Sequence, residues 1–303
     1  MTNPSSLVIV YQFGKVASTA IVRALEKLPD IEVHQSHFLG EDALRKSITN
    51  AANPRLEPYF RKHMIGQLTA NLELTHRMNR IIEGLDTTKL CVLTLSREPI
   101  DWLRSCIQQD IEGHRDAILA VSASEQPETP SVEHGLSEIL DGLADFIDAK
   151  GGIAPAMASF QRPGKQAFFN DPILQRGEIY RRILMLVFRP LLWFEDHFHV
   201  CFGHGLNDFQ AHGRHWIKDT DTATFVMLRY EDIASDLVNA LASANIQMET
   251  SLPVANSSRE KPYADEIQAA FSGAGAKRLR AQVLRSEYAE FFDYADRSAS
   301  VAA

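Results

Sequence analysis

The sequence has few of the features that mark secreted, membrane-spanning or disulfide-rich proteins. Three cysteines occur in 303 residues, an odd number at wide spacing, so a disulfide framework is not expected. No stretch stays apolar over the ~20 residues that a bilayer requires. Residues 1–6 contain no Lys or Arg and are too short for a secretory signal. These absences predict a cytoplasmic protein with no membrane span.

An excess of positive charge is also lacking. Lys and Arg total 31 against 39 Asp and Glu, a formal net charge of −8, so no overall positive field attracts a nucleic acid. Any anionic ligand must be bound by a local site. The chain does have 45% hydrophobic residues, which is enough to support a full core. We therefore expect one domain over residues 1–303.

Short β-branched runs alternate with helical patterns along the chain. Apolar runs of strand length occur at residues 7–10, 31–34, 90–95 and 224–229. Helical spacing occurs between them, including residues 132–149 and 171–198. The alternation predicts a three-layer α/β/α fold with a central, mostly parallel sheet. Ligands of such folds bind beyond the carboxyl ends of the strands.

Other segments complete the predicted architecture. Residues 41–84 are predicted to be mainly helical, with breaks at Pro54 and near Pro58. The polar stretch near 121–131 predicts a mobile loop, and residues 275–294 predict a closing amphipathic helix. Tyr230-Glu231-Asp232 is interpreted as a structural corner whose carboxylates cap the next helix or pair with an arginine.

A glycine and a lysine follow the first predicted strand. The segment Gly14-Lys15-Val16-Ala17-Ser18-Thr19 leads from that strand into a helix, so its N–H groups and the lysine charge can face a phosphate. The ATP-binding loop requires Gly-x-x-x-x-Gly-Lys-Ser/Thr, whereas this lysine is followed by valine. A P-loop-like phosphate site is predicted and ordinary ATP or GTP chemistry is disfavoured. The alternative is a tight turn with a surface lysine.

An arginine follows the third predicted strand. Arg97 can form two parallel hydrogen bonds to a phosphate, and the hydroxyl of Ser105 can add a third. Pro99 suits the first position of the helix that begins there. The alternative is that Arg97 pairs with a nearby carboxylate and that Ser105 has no binding function.

The two motifs together resemble the PAPS-dependent sulfotransferase family, in particular its bacterial polysaccharide- or carbohydrate-type members. In that family a lysine-containing loop after the first strand binds the 5′-phosphosulfate, and an arginine with a serine eight residues later binds the 3′-phosphate. Arg97 and Ser105 have this spacing. Residues 193–203 and 228–233 are similar to later family segments, and Lys261 falls where members carry a basic loop over the 3′-phosphate. The resemblance is loose over 41–90 and 113–180.

The resemblance implies sulfuryl transfer from PAPS to a hydroxyl or amine of a carbohydrate or small molecule, in line and without a metal. It implies that Lys15 stabilises the leaving 5′-phosphate. The other residues that it implies around the nucleotide are Gly14, Val16, Ala17, Ser18, Thr19, Arg97, Ser105 and Lys261. An acceptor cleft is expected on the helical region 132–198.

A general base must take the proton of the acceptor, and His37 is the candidate because it follows the second predicted strand. Some related glycan enzymes have a glutamate where this chain has Gln35, so His34 or a carboxylate remains an alternative base. A histidine in such a place is also often a structural hydrogen-bonding residue.

Two other functions remain open at this stage. A nucleotide kinase or NTPase with an atypical phosphate loop would bind ATP with Mg²⁺. A non-catalytic protein on the same fold would bind the nucleotide without turnover. No metal site is predicted, since the histidines and the cysteine of segment 197–204 straddle a helix end and a turn.

Overall fold

The chain forms an α/β protein in a computed structural model that describes residues 5–51, 63–161, 166–248, 252 and 261–295. Its strands are β1 (Ser6–Tyr11), β2 (Ile31–Ser36), β3 (Lys89–Ser96), β4 (Gln210–His212), β5 (His215–Asp219) and β6 (Ala223–Arg229). They form one six-stranded sheet in the order β2-β1-β3-β6-β5-β4. The four predicted strands are confirmed as β1, β2, β3 and β6, and the sheet is mixed but mostly parallel.

The register of the parallel strands determines which segments lie at the same edge of the sheet. β1 pairs in parallel with both β2 and β3, and β3 pairs in parallel with β6. Tyr11, the last residue of β1, lies opposite Ser36, the last residue of β2. The loops that leave β1 and β2 therefore begin side by side, and this places the predicted lysine loop next to the predicted base.

The antiparallel hairpin of β4 and β5 was not predicted from the sequence. β5 pairs with both β4 and β6, and a two-residue turn at Gly213 and Arg214 connects β4 to β5. Gly213 has φ 68°, a conformation that glycine adopts without strain, and Gly-X is a known two-residue hairpin turn. The hairpin adds the two antiparallel strands at one edge of the sheet.

The chain divides into two compact units, one of residues 1–96 and 193–255 and the other of residues 97–192 and 256–303. Helices of the first unit are α1 (Ser18–Leu25), α2 (Glu41–Ala51), α3 (His63–Ile82), α10 (Val200–Phe202) and α11 (Ile233–Ser243). Helices of the second unit are α4 (Pro99–Gln109), α5 (Ile111–Glu125), α6 (Val132–Ala149), α7 (Ile153–Gln161), α8 (Gln166–Phe169), α12 (Ala264–Ser272), α13 (Ala274–Val283) and α14 (Glu287–Phe291). Helix α9 (Glu178–Trp193) belongs to the second unit as far as residue 192. Its last residue, Trp193, begins the second segment of the first unit.

An aromatic cluster anchors the carboxyl end of β1 in the first unit. The ring of Tyr11 lies 4.9 Å from that of Trp193 between centroids, and the ring of Phe13 lies 5.8 Å from Trp193. Phe198, on a π-helical turn (Phe194–His199) that follows α9, contacts the rings of both Tyr11 and Trp193. Tyr11, Phe13 and Trp193 are all buried, as expected for aromatic core residues. The cluster fixes the point at which the chain enters the lysine loop.

In the second unit, α6 is the central helix and packs against α5, α12 and α13. Close packing against α5 depends on Gly135, because a Cβ atom there would lie 2.2 Å from the carbonyl oxygen of Ile118. The buried Gln282 of α13 donates a hydrogen bond to the carbonyl of Ala144. The predicted helix at 132–149 is confirmed as α6.

Three predicted boundaries differ from the structure. The helix expected at 171–198 begins only at Glu178, as α9, and passes into a π-helical turn at Phe194. The polar loop expected near 121–131 is helical as far as Glu125, because the buried Ser122 accepts a hydrogen bond from the N–H of Ser131 and draws the following turn back onto α5. The closing helix expected at 275–294 is broken between α13 and α14, where Ser286 caps α14 by accepting from the N–H of Ala289. Pro54 and Pro58 lie outside the described residues.

No helix among the described residues is long and apolar enough to cross a membrane. The three cysteines are free thiols, and burial raises the pKa of Cys91 and of Cys201 to about 12. Neither thiol is therefore ionised near neutral pH.

Candidate active site

The loop between β1 and α1 contains three residues with positive φ. Gly14, Lys15 and Ala17 have φ values of 93°, 60° and 62°. For the lysine and the alanine this left-handed conformation costs about 1 kcal/mol each, which the surrounding structure must offset. A left-handed residue next to a right-handed one points successive N–H groups at an anion, and Ala17 (φ 62°, ψ 15°) has this relation to the helical Ser18.

Four consecutive backbone donors of this loop have no protein acceptor within the described part of the chain. They are the N–H groups of Val16, Ala17, Ser18 and Thr19. Helix α1 begins at Ser18 without a side-chain cap and without an acidic residue in its first turn. The positive end of the helix dipole and four N–H groups are thus available to an anion.

A glutamine that the sequence analysis did not select holds the loop in place. Gln12 is fully buried, its Oε1 accepts a hydrogen bond from the N–H of Gly14, and its Nε2 donates to the hydroxyl of Ser18 at 2.8 Å. Gln12 therefore spans the loop from its first residue to the start of α1. The N–H of Gly14 is occupied by this bond and is not among the available donors.

A second glutamine, Gln35 of β2, donates from Nε2 to the same Ser18 hydroxyl at 3.0 Å. A serine oxygen accepts two hydrogen bonds and donates one. Because Gln12 and Gln35 both donate to it, Ser18 is left with its O–H as a donor, which is the polarity that a phosphate oxygen needs. Gln35, the residue at which the sequence departs from the sulfotransferase pattern, therefore contacts the loop.

His37 lies against the same loop. Its Nδ1 is 2.9 Å from the carbonyl oxygen of Gln12, and its Cε1 would be 4.0 Å from a Cβ atom built on Gly14. A proton on Nδ1 is bound by the Gln12 carbonyl, and Nε2 then carries the lone pair. Nε2 of Gln12 lies farther from Nδ1, at 3.3 Å, and the closer carbonyl oxygen can only accept, so the contacts favour the proton on Nδ1. The arrangement suits a general base that acts through Nε2.

The alternative base, His34, has a different environment. Its Nε2 lies 2.7 Å from Oε1 of Glu32, and Arg77 of α3 contacts the same oxygen at 2.5 Å. The hydrogen bond from Arg77 holds the pKa of Glu32 below its usual value, with a smaller lowering from His34. His34 is therefore part of an ion-pair cluster between β2 and α3, whereas His37 contacts the loop.

A cavity of about 750 Å³ opens between the end of β2 and α3. His34, Gln35 and His37 contribute to its wall from the strand side, and the face of α3 from Gln67 to Arg77 forms the opposite wall. The cavity lies entirely within the first unit.

The remaining predicted binding residues, Arg97, Ser105 and Lys261, belong to the second unit. The hydroxyl of Tyr288 accepts from the N–H of Arg97 and donates to its carbonyl, both at 3.0 Å, which fixes the backbone of the arginine. Pro99 is the first residue of α4, as predicted, and Ser105 lies within that helix. Residues 256–260 of the predicted basic loop, which spans 256–263, lie outside the described residues. The involvement of Arg97, Ser105 and Lys261 with a phosphate stays a prediction.

Glu98, the residue after Arg97, is buried and caps α4 by accepting from the N–H of Asp101 at 2.7 Å. Burial raises the pKa of Glu98 to about 7, although the neighbouring Arg280 opposes the shift. Because the folded-state pKa lies above the ordinary value of 4.5, the folded protein retains a proton that the unfolded chain releases. The resulting stability is fully present below about pH 4.5 and is lost as the pH rises to about 7.

We expect the free energy of unfolding to fall by on the order of 3 kcal/mol more in the wild type than in Glu98→Gln over that range, because glutamine does not ionise. Urea denaturation of both proteins between pH 4.5 and 7.5 measures this difference. Parallel pH dependences for the two proteins would show that folding does not raise the pKa of Glu98.

The corner after β6 is structural, as the sequence predicted. Nε of Arg229 lies 2.5 Å from Oδ2 of Asp232, both residues are buried, and Arg214 approaches the other carboxylate oxygen at 3.6 Å. The guanidinium of Arg229 also lies 5.2 Å from the ring centroid of Trp216. The pair connects the end of β6 to β5.

A serine, a histidine and an aspartate that the sequence analysis did not select lie together in the first unit. Nδ1 of the buried His215 is 2.6 Å from Asp236, and its Nε2 is 3.2 Å from the hydroxyl of Ser243. That hydroxyl donates to the carbonyl of Asn239. The next three N–H groups, at residues 244–246, all donate to helix carbonyls, so none is available for an oxyanion. The trio connects β5 to α11 and lacks the groups for acyl transfer.

The described residues contain no group of three or more His, Cys, Asp or Glu side chains that could hold a metal ion. Comparisons of the chain with protein-family models, with curated proteins and with solved structures find no match. The functional assignment therefore rests on the residues and on the geometry of the loop.

Proposed function

We propose that this protein is a PAPS-dependent sulfotransferase that moves a sulfuryl group to a hydroxyl or amine of a carbohydrate or small molecule. The observation that carries the proposal is the loop from Gly14 to Thr19, with four available N–H donors, a donor-only Ser18 hydroxyl and the Lys15 side chain. This set matches the charge and hydrogen-bonding needs of a phosphate. The proposal includes the three-layer arrangement and the P-loop-like character predicted from the sequence.

In the proposed reaction the acceptor oxygen attacks the sulfur of PAPS in line with the bond to the 5′-phosphate. The new O–S bond forms as the S–O bond to that phosphate breaks, and the electron pair leaves with 3′-phosphoadenosine 5′-phosphate (PAP). Nε2 of His37 takes the proton of the acceptor. Lys15, the loop N–H groups and Ser18 stabilise the charge that develops on the leaving phosphate. Arg97, Ser105 and Lys261 are assigned to the 3′-phosphate by the sequence resemblance.

The catalytic hypothesis is favoured over the two alternatives by particular contacts. A non-catalytic nucleotide-binding protein has no need of an imidazole beside the phosphate loop, yet His37 is held there by the Gln12 carbonyl. A kinase or NTPase normally has a serine or threonine after the loop lysine to contact Mg²⁺, and this chain has the buried Val16. The reaction proposed here requires no metal.

Lys15→Ala should lower kcat by about 100- to 1,000-fold while changing the affinity for PAP by less than about tenfold, because its charge matters most as the leaving group develops. Single-turnover transfer of radiolabelled sulfate from PAPS, together with calorimetric binding of PAP, measures the two effects. Lys27→Ala, at an exposed lysine just past α1, is the matched control and should leave both unchanged. Equal losses of rate and affinity in Lys15→Ala would make Lys15 a binding residue only.

A further inference from the structure

The cavity between β2 and α3 shares two residues with the phosphate loop. His37 contributes to the cavity wall and contacts the carbonyl of Gln12, and Gln35 contributes to the wall and donates to Ser18. A molecule in this cavity can therefore present a polar group to His37 beside the loop. The helical region 132–198, which the sequence analysis expected to form the acceptor side, belongs to the second unit as far as residue 192.

The charges of the cavity are unfavourable to an anionic occupant. Arg77 is the one permanent cation among its described lining residues, and its guanidinium is paired with Glu32 at 2.5 Å. Glu73 adds a second carboxylate to the wall. An anionic acceptor would have to displace Glu32 from Arg77 and to approach Glu73, and both contacts cost free energy.

The other lining groups suit an uncharged polyol. The amides of Gln67 and Asn71 offer both donors and acceptors to hydroxyl groups. The half-exposed ring of Phe38 and the side chain of Leu74 offer apolar contact to the C–H faces of a sugar ring. The volume of about 750 Å³ lies within the ~300–1,000 Å³ of small-molecule sites.

We infer that this cavity is the acceptor site and that the acceptor is an uncharged sugar or similar polyol. The inference rests on the proposed sulfuryl transfer. The acceptor hydroxyl gives its proton to Nε2 of His37, its oxygen forms the bond to sulfur, and the bond from sulfur to the 5′-phosphate breaks. The products are a sulfate monoester of the sugar and PAP.

Two tryptophan substitutions on α3 test the location of the acceptor. Ala70 lines the cavity, whereas its neighbour Thr69 is exposed, does not line the cavity, and donates to the carbonyl of Ile65 on its own helix. Ala70→Trp fills the cavity and Thr69→Trp adds the same bulk outside it. Transfer from radiolabelled PAPS is measured with lactose, cellobiose and chitobiose, and with glucuronic-acid-containing and sulfated disaccharides of matched size. PAP binding is measured by calorimetry in each protein.

We expect the wild type and Thr69→Trp to label at least one neutral disaccharide. Ala70→Trp should label the same disaccharide at least about tenfold less. The wild type should label the anionic counterparts at least about tenfold less than the neutral disaccharide. PAP affinity should be the same in all three proteins. If PAP binds, the inference is wrong in any of three cases: labelling is unaffected by Ala70→Trp, labelling favours the anionic sugars, or no sugar of the panel is labelled. The proposed nucleotide site then still stands. If PAP does not bind the wild type, the proposed function itself fails.

Discussion

His37→Asn should lower the rate of sulfuryl transfer by about 100- to 10,000-fold, the usual contribution of a positioned general base. Asparagine can keep a donor near the position of Nδ1, where the histidine contacts the carbonyl of Gln12 at 2.9 Å. It has no group that corresponds to Nε2. The substitution therefore removes the base while preserving the bond that orients the side chain. PAP affinity should change little, because the proposed function of His37 concerns the acceptor.

The matched control is His34→Asn, three residues earlier on β2. His34 contacts Glu32 at 2.7 Å in the ion-pair cluster and is the alternative base left open by the sequence. Because His34 also lines the proposed acceptor cavity, the comparison is made at saturating acceptor, where we expect its substitution to cost less than about tenfold in rate, the loss of one partly exposed ion-pair contact. Single-turnover rates with saturating PAPS give both values. A large loss in His34→Asn with an active His37→Asn would assign the base to His34.

Arg97→Ala should weaken PAP binding by about 2–5 kcal/mol, which corresponds to roughly 30- to 5,000-fold in Kd. One feature supports a large effect. The backbone of Arg97 is fixed by the buried Tyr288 through hydrogen bonds to both its N–H and its carbonyl.

Arg104→Ala is the control for Arg97→Ala, since Arg104 lies on the same helix α4 and contacts Gln268 and Asp101. It should leave PAP affinity within about threefold, the range typical of a partly exposed contact. The comparison nucleotide is adenosine 5′-phosphosulfate, which lacks the 3′-phosphate. Arg97→Ala should not weaken its binding, and an equal loss for both nucleotides would remove the assignment of Arg97 to the 3′-phosphate.

The strands that carry the site were accessible to sequence analysis because their signals are local. β1, β3 and β6 are largely apolar or β-branched runs followed by polar residues, β2 alternates apolar with polar residues at its start, and each was predicted. The β4–β5 hairpin was missed because β4 is only three exposed residues and gains its partners from β5 through a turn. Pairing of this kind depends on the neighbouring strand β6 as much as on its own sequence.

The loop was predicted as a phosphate site, but the residues that hold it were not. Gln12 and Gln35 act through side-chain bonds to Gly14 and Ser18, and such bonds exist only once the turn and the β1–β2 register bring them together. A glutamine at the end of the first apolar run, two residues before Gly14-Lys15, was the available signal. The contact of His37 with the Gln12 carbonyl follows from the same register, and the sequence indicated it only through the position of His37 after β2.

The cavity that we propose as the acceptor site could not be located from sequence. Its wall combines the end of β2 with one face of α3, and the segment from residue 41 to 90 has only a loose resemblance to sulfotransferases. The ion pair of Glu32 with Arg77 joins residues 45 positions apart. No local pattern reports such a pairing, so the charge of the cavity is a product of the tertiary structure.

Calorimetric titration of the wild-type protein with PAP, without metal and with ATP and AMP as comparison ligands, tests the central claim most directly. The account predicts micromolar binding of PAP that needs no Mg²⁺, and much weaker binding of ATP and AMP, because neither carries a 3′-phosphate. Absence of PAP binding, or tight binding of ATP that depends on Mg²⁺, would contradict the proposed sulfotransferase function.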